Sequence, residues 1–194
     1  MMQESGTREH RMKSLQGHLL LASPDLRDPN FVQSVVLMVQ HNAEGALGLI
    51  LNRPTDTTIS EAWNQVSDSL CERHEVLHHG GPCESPLMVL HNQEVASQIQ
   101  VSEDIYFSTE KENVEWLVDQ QDNTIKFFVG CAEWGPGQLE SELETGSWLT
   151  TPATLEHVFQ HDEHQWEKVT EQIICRVTKL AINPKLIPKD PSMN

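Results

Sequence analysis

Residues 34–51 read SVVLMVQHNAEGALGLIL, and this stretch decides the fold class. It contains two short apolar runs, residues 34–40 and 46–51, which are rich in Val, Leu and Ile. Apolar runs of about four to eight residues that are bounded by turn-forming residues are typical of β-strands. The link at residues 41–45 is short enough for a hairpin. Because apolar residues occupy both alternations of each run, we expect the strands to lie in a sheet that is covered on both faces.

A helix signal follows this hairpin. Thr58 and Glu61 have the spacing of a capping box, in which two side chains satisfy backbone N–H groups of the first turn. Apolar residues then recur on one helical face, namely Ile59, Ala62, Trp63, Val66 and Leu70. The pattern predicts an amphipathic helix with Trp63 in the core.

The rest of the chain mixes the two periodicities. Further strands are predicted at residues 17–22, 75–79, 86–91, 98–101, 105–108, 124–132 and 148–150, and further helices begin near Thr109, Gly135, Thr151 and Asp162. This order lacks a strict βαβα alternation, which favours an α+β fold. A length of 194 residues fits a single domain.

The two ends of the chain differ from its centre. Residues 1–11 are polar and charged, and residues 183–194 contain three prolines without any apolar periodicity. We therefore expect one domain over residues 12–182, between a flexible N-terminal extension and a flexible C-terminal tail. No apolar run approaches the roughly 20 residues that span a bilayer, and no secretory signal is present. We expect no membrane insertion and a cytoplasmic location.

The charge balance argues against one class of function. Thirteen Lys and Arg residues stand against 29 Asp and Glu residues, for a formal net charge of −16. A field of this sign repels phosphate backbones, so direct nucleic-acid binding is not expected. Residues 127–167 contain no Lys or Arg. This segment indicates a solvated acidic surface, with a docking face for a basic partner as the alternative.

The cysteines show no metal or redox motif. Cys71, Cys83, Cys131 and Cys175 are scattered and contain no C-x-x-C pair, which disfavours a zinc ribbon or a thioredoxin-like site. We expect reduced thiols that pack mostly as small apolar side chains, with an oxidised Cys71–Cys83 pair as the alternative.

Three segments together carry a resemblance to a known family. They are Pro24 with DPNF at residues 28–31 and SVV at 34–36, then GALGLILNRP at 45–54, then WGPGQLESEL at 134–143. This set resembles the AlgH/YqgE family of bacterial proteins. The resemblance implies a mixed α+β fold with a small closed or bifurcated, largely antiparallel β-sheet surrounded by helices. One departure is Gly-Cys-Ala-Glu-Trp at 130–134, where such proteins usually have an aromatic residue and a Gly before the Trp.

The resemblance implies little about activity. Members have been described as transcriptional regulators, but no catalytic residues, substrate or cofactor can be carried over by position. The leading hypothesis is therefore a non-enzymatic regulatory or binding module that acts through a protein partner or a small ligand. The competing hypothesis is a small-molecule enzyme with a polar pocket around Arg53, His91, Cys131 and Glu140. No nucleophile elbow, P-loop or dinucleotide fingerprint occurs, and no cofactor is expected.

Eight residues of these motifs form the candidate ligand site. They are Asn52, Arg53, Gly80, Gly81, Trp134, Gly135, Gly137 and Gln138. A helix that begins in the Gly-Pro-Gly turn would present N–H groups to an anion, Arg53 would supply the counter-charge, and the Gly-Gly turn would allow close approach. We expect these residues to lie close together around a small anionic ligand. The alternative is that glycine and proline set turn geometry, Trp134 lies in the core and Arg53 pairs with a structural carboxylate.

Two groups of residues could supply metal ligands. One comprises His78, His79, Cys83 and His91, and the other comprises His157, His161 and His164. Neither group has a recognised ligand spacing, so surface histidines are favoured and no metal site is expected.

Overall fold

The computed structural model describes residues 13–65, 71–120, 124–160 and 164–181. The strands are β1 His18–Ala22, β2 Val35–Asn42, β3 Gly45–Ile50, β4 Pro54–Thr58, β5 Val76–His79, β6 Met88–His91, β7 Ile99–Ser102, β8 Ile105–Ser108, β9 Ile125–Val129, β10 Ala132–Trp134 and β11 Trp148–Pro152. The helices are α1 Ile59–Trp63, α2 Lys111–Asp119, α3 Gln138–Glu144, α4 Leu155–Phe159 and α5 Gln165–Ala181. The expected flexible ends, residues 1–11 and 183–194, lie outside the described residues.

The predicted hairpin forms the centre of the first sheet. Its five strands have the order β10-β3-β2-β1-β11 and are all antiparallel. Val36 lies opposite Ile50 in the β2–β3 pair, and a bulge between Met38 and Gln40 shifts the register near the turn. Residues on both alternations of β2 are buried, which agrees with a sheet covered on both faces.

The second sheet has six strands in the order β4-β5-β9-β6-β8-β7. Its pairs are antiparallel except β5–β9, which is parallel. The predicted strand at residues 124–132 is in fact two strands, because Gly130 adopts a φ of +72° and turns the chain out of one sheet into the other. β9 therefore lies in the second sheet, and β10 lies in the first.

Three apolar clusters cover both faces of each sheet. The cluster between the sheets includes Leu37, Leu49 and Phe128, and Val169 of α5 also belongs to it. The outer face of the second sheet packs against α1 and α2 through Trp63, Leu117 and other apolar residues. The outer face of the first sheet packs against α3 through Trp134, Trp148 and Leu139. The predicted α+β class with largely antiparallel strands is confirmed.

The ends of the helices agree only partly with the sequence pattern. The capping box of Thr58 and Glu61 is present at the start of α1, whereas Val66 and Leu70 lie outside the described residues. Thr109 does not cap α2, because the N-cap position is Glu110, which makes no side-chain capping bond; the Thr109 hydroxyl instead donates to the Leu87 carbonyl.

The fourth helix also begins later than predicted. Thr151 and Pro152 extend β11, and α4 is capped instead by Thr154, whose hydroxyl accepts from the His157 N–H. Pairing with β1 competes with helix formation at these two residues and prevails. None of the described helices is long and apolar enough to cross a membrane.

Candidate functional site

Asn52 and Arg53 hold the loop that precedes β2 against the end of β3. Asn52 accepts the Val35 N–H at 2.9 Å and donates to the Gln33 carbonyl at 2.8 Å. Arg53 Nη2 donates to the Val32 carbonyl at 3.3 Å. No carboxylate of the described residues lies within ion-pairing distance of the Arg53 guanidinium, and Arg53 as a whole is half-buried. The expected alternative of a structural carboxylate partner for Arg53 is therefore wrong for this part of the chain.

The Gly80-Gly81 turn lies beside Arg53 at the junction of the two sheets. The Arg53 carbonyl accepts the His79 N–H at 2.8 Å, and the Gly80 carbonyl accepts the Ile50 N–H at 2.8 Å. A Cβ atom at Gly81 would lie 2.3 Å from the carbonyl carbon of Cys131, and the Gly81 φ is +154°. Close packing of two backbones therefore requires glycine here, whether or not a ligand binds.

Trp134, Gly135, Gly137 and Gln138 lie at the opposite end of β3. Trp134 is opposite Ala46, the second residue of that strand. The Gly135 N–H donates to Gln138 Oε1 at 3.1 Å, so a side chain already satisfies this amide. Gly137 precedes α3, which begins at Gln138.

A carboxylate that the sequence analysis did not single out organises this second group. Glu142 Oε2 accepts the indole N–H groups of Trp134 at 2.9 Å and Trp148 at 2.8 Å. Glu142 Oε1 accepts from Gln138 Nε2 at 3.0 Å. Two partly buried indole N–H groups need acceptors, and this need is the signal that points to a nearby carboxylate.

The eight candidate residues thus form two groups that the loop before β2 connects. The Phe31 ring lies 6.1 Å from the Trp134 ring and 5.5 Å from the Trp148 ring. The next residue, Val32, contacts Arg53 through its carbonyl. Asn52, Arg53, Gly80 and Gly81 come together at one end of β3, and the Trp134 group occupies the other end. A single anion shared by Arg53 and the Gly135 region stays a prediction.

His91, a candidate catalytic base, is fully buried and has partners on both ring nitrogens. The Gln93 N–H donates to Nδ1 at 3.3 Å, which assigns the ring proton to Nε2. Nε2 lies 3.1 Å from Ser108 Oγ, and the Ser108 hydroxyl in turn donates to the Ala96 carbonyl. Burial lowers the pKa of His91 to about 4. His91 is thus a neutral side chain with a structural function at neutral pH.

The side chains of Cys131 and Glu140 also have hydrogen-bond partners within the fold. The Cys131 thiol donates to Glu133 Oε1 at 3.6 Å, and burial, with the Glu133 charge, raises the pKa of Cys131 to about 12. Such a thiol is almost entirely protonated at neutral pH, which makes it a weak nucleophile for catalysis. Glu140 Oε1 lies 2.9 Å from Nε2 of the buried His41, whose Nδ1 accepts the Leu15 N–H at 3.0 Å. These bonds give no support to a shared catalytic pocket.

Sequence comparison places this chain among known proteins. The profile of the AlgH-like family matches residues 19–177. The chain belongs to the AlgH-like family. A UPF0301 protein of Chlorobaculum tepidum is 36% identical over 185 residues, which cover 92% of this chain and 95% of the relative. A UPF0301 protein of Myxococcus xanthus is 37% identical over 187 residues, covering 94% of this chain and 100% of the relative.

Solved structures extend the AlgH-like similarity to the fold. The solution structure of the AlgH protein from Pseudomonas aeruginosa has a TM-score of 0.71 and 29% identity, over 94% of this chain and 98% of that one. The crystal structure of protein DIP2367 from Corynebacterium diphtheriae has a TM-score of 0.67 and 23% identity, over 84% and 88% of the two chains. The second similarity concerns the fold alone.

The first proposed ligand group for a metal is dispersed in this AlgH-like chain. His78 is buried against Phe128, with the ring centroids 5.7 Å apart, whereas the next residue, His79, is exposed. His91 bonds Ser108. Within the described ranges, no group of three or more His, Cys, Asp or Glu side chains is placed to hold a metal ion.

The second proposed metal group is only partly described. His157 Nδ1 accepts the Thr154 N–H at 3.3 Å, so this histidine completes the cap of α4. His161 lies outside the described residues, and His164 is exposed.

A pH-dependent stability is expected from His91. Its pKa is about 4 in the fold against 6.5 for an unperturbed histidine, so the unfolded chain binds this proton first as the pH falls. The His91 contribution is complete above pH 6.5, decreases as the pH falls towards 4 and is constant below that. Allowing for solvent screening, we expect the free energy of unfolding to fall by about 1 kcal/mol between pH 7 and pH 5 because of His91.

Urea unfolding of the wild type and of His91→Asn at pH 7 and pH 5 isolates the contribution of His91 to the free energy of unfolding. The Asn side chain can still accept the Gln93 N–H but does not titrate. The difference in unfolding free energy between the two proteins should be smaller at pH 5 than at pH 7. An unchanged difference would show that His91 titrates normally in the fold.

Proposed function

We propose that this AlgH-like protein is a non-enzymatic regulatory or binding module, and that Arg53 receives an anionic group of a protein partner or a small ligand. The observation that carries the proposal is a half-buried arginine whose guanidinium has no carboxylate neighbour among the described residues. This is notable in a chain with 29 acidic residues, because arginine side chains usually find a carboxylate when one is available.

The local geometry supports an anion at this position. A guanidinium has five N–H donors, and within the described ranges Arg53 uses one of them, from Nη2 to the Val32 carbonyl. The Val32 side chain is 43% exposed beside it. A carboxylate or phosphate that approached Arg53 would accept a charge-assisted hydrogen bond. An apolar part of the same ligand or partner would then pack against the Val32 side chain. This combination of charge and exposed apolar surface is typical of a recognition site.

The enzymatic alternative has weaker support, because three of its four residues serve other purposes. His91 bonds within the core, Cys131 carries a protonated thiol, and Glu140 pairs with His41. A regulatory function would act through a partner in the cytoplasm and not through contact with duplex DNA, since the net charge of −16 opposes phosphate binding outside a local site.

Replacing Arg53 tests the proposal. We expect inorganic phosphate and a short glutamate-rich peptide, titrated separately at constant ionic strength, to shift the NMR signals of the Arg53 Nε–H and of the amides at Val32, Gln33 and His79. Arg53→Gln should weaken the apparent affinity about tenfold or more, because the charge-assisted bond is lost.

Arg176→Gln is the matched control, since it removes the same charge from an exposed position on α5. It should leave the titrations unchanged. Saturation by the peptide alone would favour a protein partner, and saturation by phosphate alone would favour a small ligand. Equal binding by wild type and Arg53→Gln would refute the assignment of Arg53.

A further inference from the structure

Cys83 and Cys131 lie directly opposite each other where the two sheets meet. They form an isolated antiparallel bridge. The Cys83 N–H donates to the Cys131 carbonyl at 2.9 Å, and the Cys131 N–H donates to the Cys83 carbonyl at 3.0 Å. Residues paired by two such bonds have Cα atoms about 5.5 Å apart. This separation lies within the range of about 4.4–6.8 Å at which disulfides form.

The two thiol side chains share one environment. Directly opposite residues of an antiparallel pair project to the same face. Cys131 belongs to the apolar cluster between the sheets, and Cys83 packs against that same cluster. The pKa of Cys131 is raised first by burial and then by Glu133, and the Cys83 thiol adds to this rise, as expected for neighbouring sulfur atoms. Cys83 is partly exposed, so a small oxidant can reach the pair from its side.

Glycines keep the two backbones in this close approach. A Cβ atom at Gly130 would lie 2.4 Å from the Gly81 carbonyl oxygen and 3.2 Å from the Cys83 carbonyl oxygen. A Cβ atom at Gly81 would meet the Cys131 backbone at 2.3 Å. The fold therefore brings the two cysteines together by packing around them, and pairing does not require a large rearrangement.

The other two cysteines are placed elsewhere. Cys71 belongs to the cluster on the outer face of the second sheet, whereas Cys83 packs against the cluster between the sheets. The alternative Cys71–Cys83 pair is thus not formed. Cys175 is exposed on α5. Cys83 and Cys131 are free thiols in this structure, with no disulfide between them.

We propose that Cys83 and Cys131 are a redox modification site, at which a small disulfide such as oxidised glutathione converts the two thiols into a reversible disulfide. The bond would tie the connection between β5 and β6 to the start of β10, and so would link the second sheet covalently to the first. This inference is independent of any ligand at Arg53.

The exchange balances in two steps. The Cys83 thiolate attacks one sulfur of oxidised glutathione, which forms a Cys83–glutathione mixed disulfide and releases one glutathione thiolate. Cys131 then loses its proton to Glu133 or water, attacks the Cys83 sulfur and expels the second glutathione as a thiolate. The two cysteines lose two electrons, and one oxidised glutathione becomes two reduced molecules. Because the Cys131 thiol is hard to deprotonate, the second step is faster at higher pH.

The bridge geometry favours a reversible bond. Cβ atoms of directly opposite residues are about 4.5–5.5 Å apart, and a pair joined by two hydrogen bonds lies at the upper end of that range, whereas a relaxed disulfide has Cβ atoms about 3.5–4.5 Å apart. Closing the bond therefore pulls the two backbones together against the glycine contacts. Strained disulfides of this kind are reduced more easily than relaxed structural ones.

Thiol counting on the full chain tests the proposal. Cys175→Ser serves as the parent protein, because it removes the exposed thiol and leaves Cys71, Cys83 and Cys131. The reduced parent is incubated with excess oxidised glutathione and quenched with acid, and its intact mass is measured before and after alkylation with N-ethylmaleimide. We expect two alkylation sites to disappear together, a mass about 2 Da lower before alkylation, a Cys83–Cys131 peptide after digestion, and full reversal by dithiothreitol.

Variants of the parent protein assign each sulfur. Cys131→Ala should stop at a stable glutathione adduct on Cys83, and Cys83→Ser should lower the yield of intramolecular disulfide at least tenfold. Cys71→Ser should still lose two thiols. Circular dichroism confirms folding of each variant, and Cys83→Ser keeps the test valid if the buried change at Cys131 is not tolerated. Retention of all three thiols by the parent, a lasting adduct on its Cys83, or a link through Cys71 would overturn the proposal.

Discussion

Gly80→Ala is expected to lower the free energy of unfolding by about 4 kcal/mol or more. A Cβ atom at Gly80 would lie 2.3 Å from the Gly130 carbonyl oxygen and 3.0 Å from Leu49 Cδ2. The Gly80 N–H also donates to the Val129 carbonyl at 2.8 Å, so the backbone cannot move away without losing a bond between sheet strands. Equilibrium urea unfolding followed by circular dichroism measures the change.

Gly135→Ala is the matched control for this clash. Neither Gly80 nor Gly135 has a positive φ, but the nearest atom to a Cβ at Gly135 is Gln138 Oε1 at 3.9 Å. We expect a change within about 0.5–1 kcal/mol for Gly135→Ala. Similar losses for the two variants would mean that general backbone effects, and not the contact with Gly130, explain the need for glycine at Gly80.

Trp63→Ala is expected to lower the free energy of unfolding by about 3–5 kcal/mol. The Trp63 side chain is 4% exposed and belongs to the cluster that joins α1 and α2 to the second sheet through Phe127 and Leu117. Its removal would leave a cavity between these helices and the second sheet. Thermal and urea unfolding, monitored by far-UV circular dichroism, measure the loss.

Trp116→Ala provides the comparison for a tryptophan outside the core. Trp116 lies on α2 and is 38% exposed. Its replacement should cost less than about 1 kcal/mol, because little buried surface is lost. A near-neutral Trp63→Ala would contradict the core assignment and would move Trp63 to a binding function on the surface.

The junction between the two sheets contains Asn52, Arg53, Gly80 and Gly81 together with the cysteine pair. Arg53 is joined there to His79 by a backbone bond, Gly80 and Gly81 pack against residues 130 and 131, and Cys83 pairs with Cys131. A change in the spacing of the sheets at this point would therefore reach the Arg53 region. The NMR titration of the reduced and oxidised parent proteins would show whether it does.

Local patterns predicted the elements well. The hairpin of residues 34–51 and the capping box of Thr58 and Glu61 depend on residues near each other in the chain, and both are present. Patterns failed where a distant partner competes with the local preference. β11 continues through Pro152 because β1 pairs with it, and Gly130 divides one apolar run between two sheets.

The candidate site could be predicted only in part. The motifs contributed residues that do come together, namely Asn52, Arg53, Gly80 and Gly81. They did not reveal that β3 separates this group from Trp134, because the distance between motifs depends on strand order. Glu142 was missed because it lies on α3, whereas the two indoles that it bonds lie on β10 and β11, the opposite edge strands of the first sheet. Sequence patterns do not show that these three residues meet.

The sequence by itself determined the α+β class, the acidic charge, the central hairpin and the family, because each follows from composition or from neighbours along the chain. Only the tertiary structure decided that Arg53 lacks a carboxylate partner among the described residues, and that Cys131 is opposite Cys83 and not Cys71. The physical reason is that pairing across sheets joins residues far apart in sequence. Such contacts depend on strand order and on close backbone packing, and no local periodicity records either.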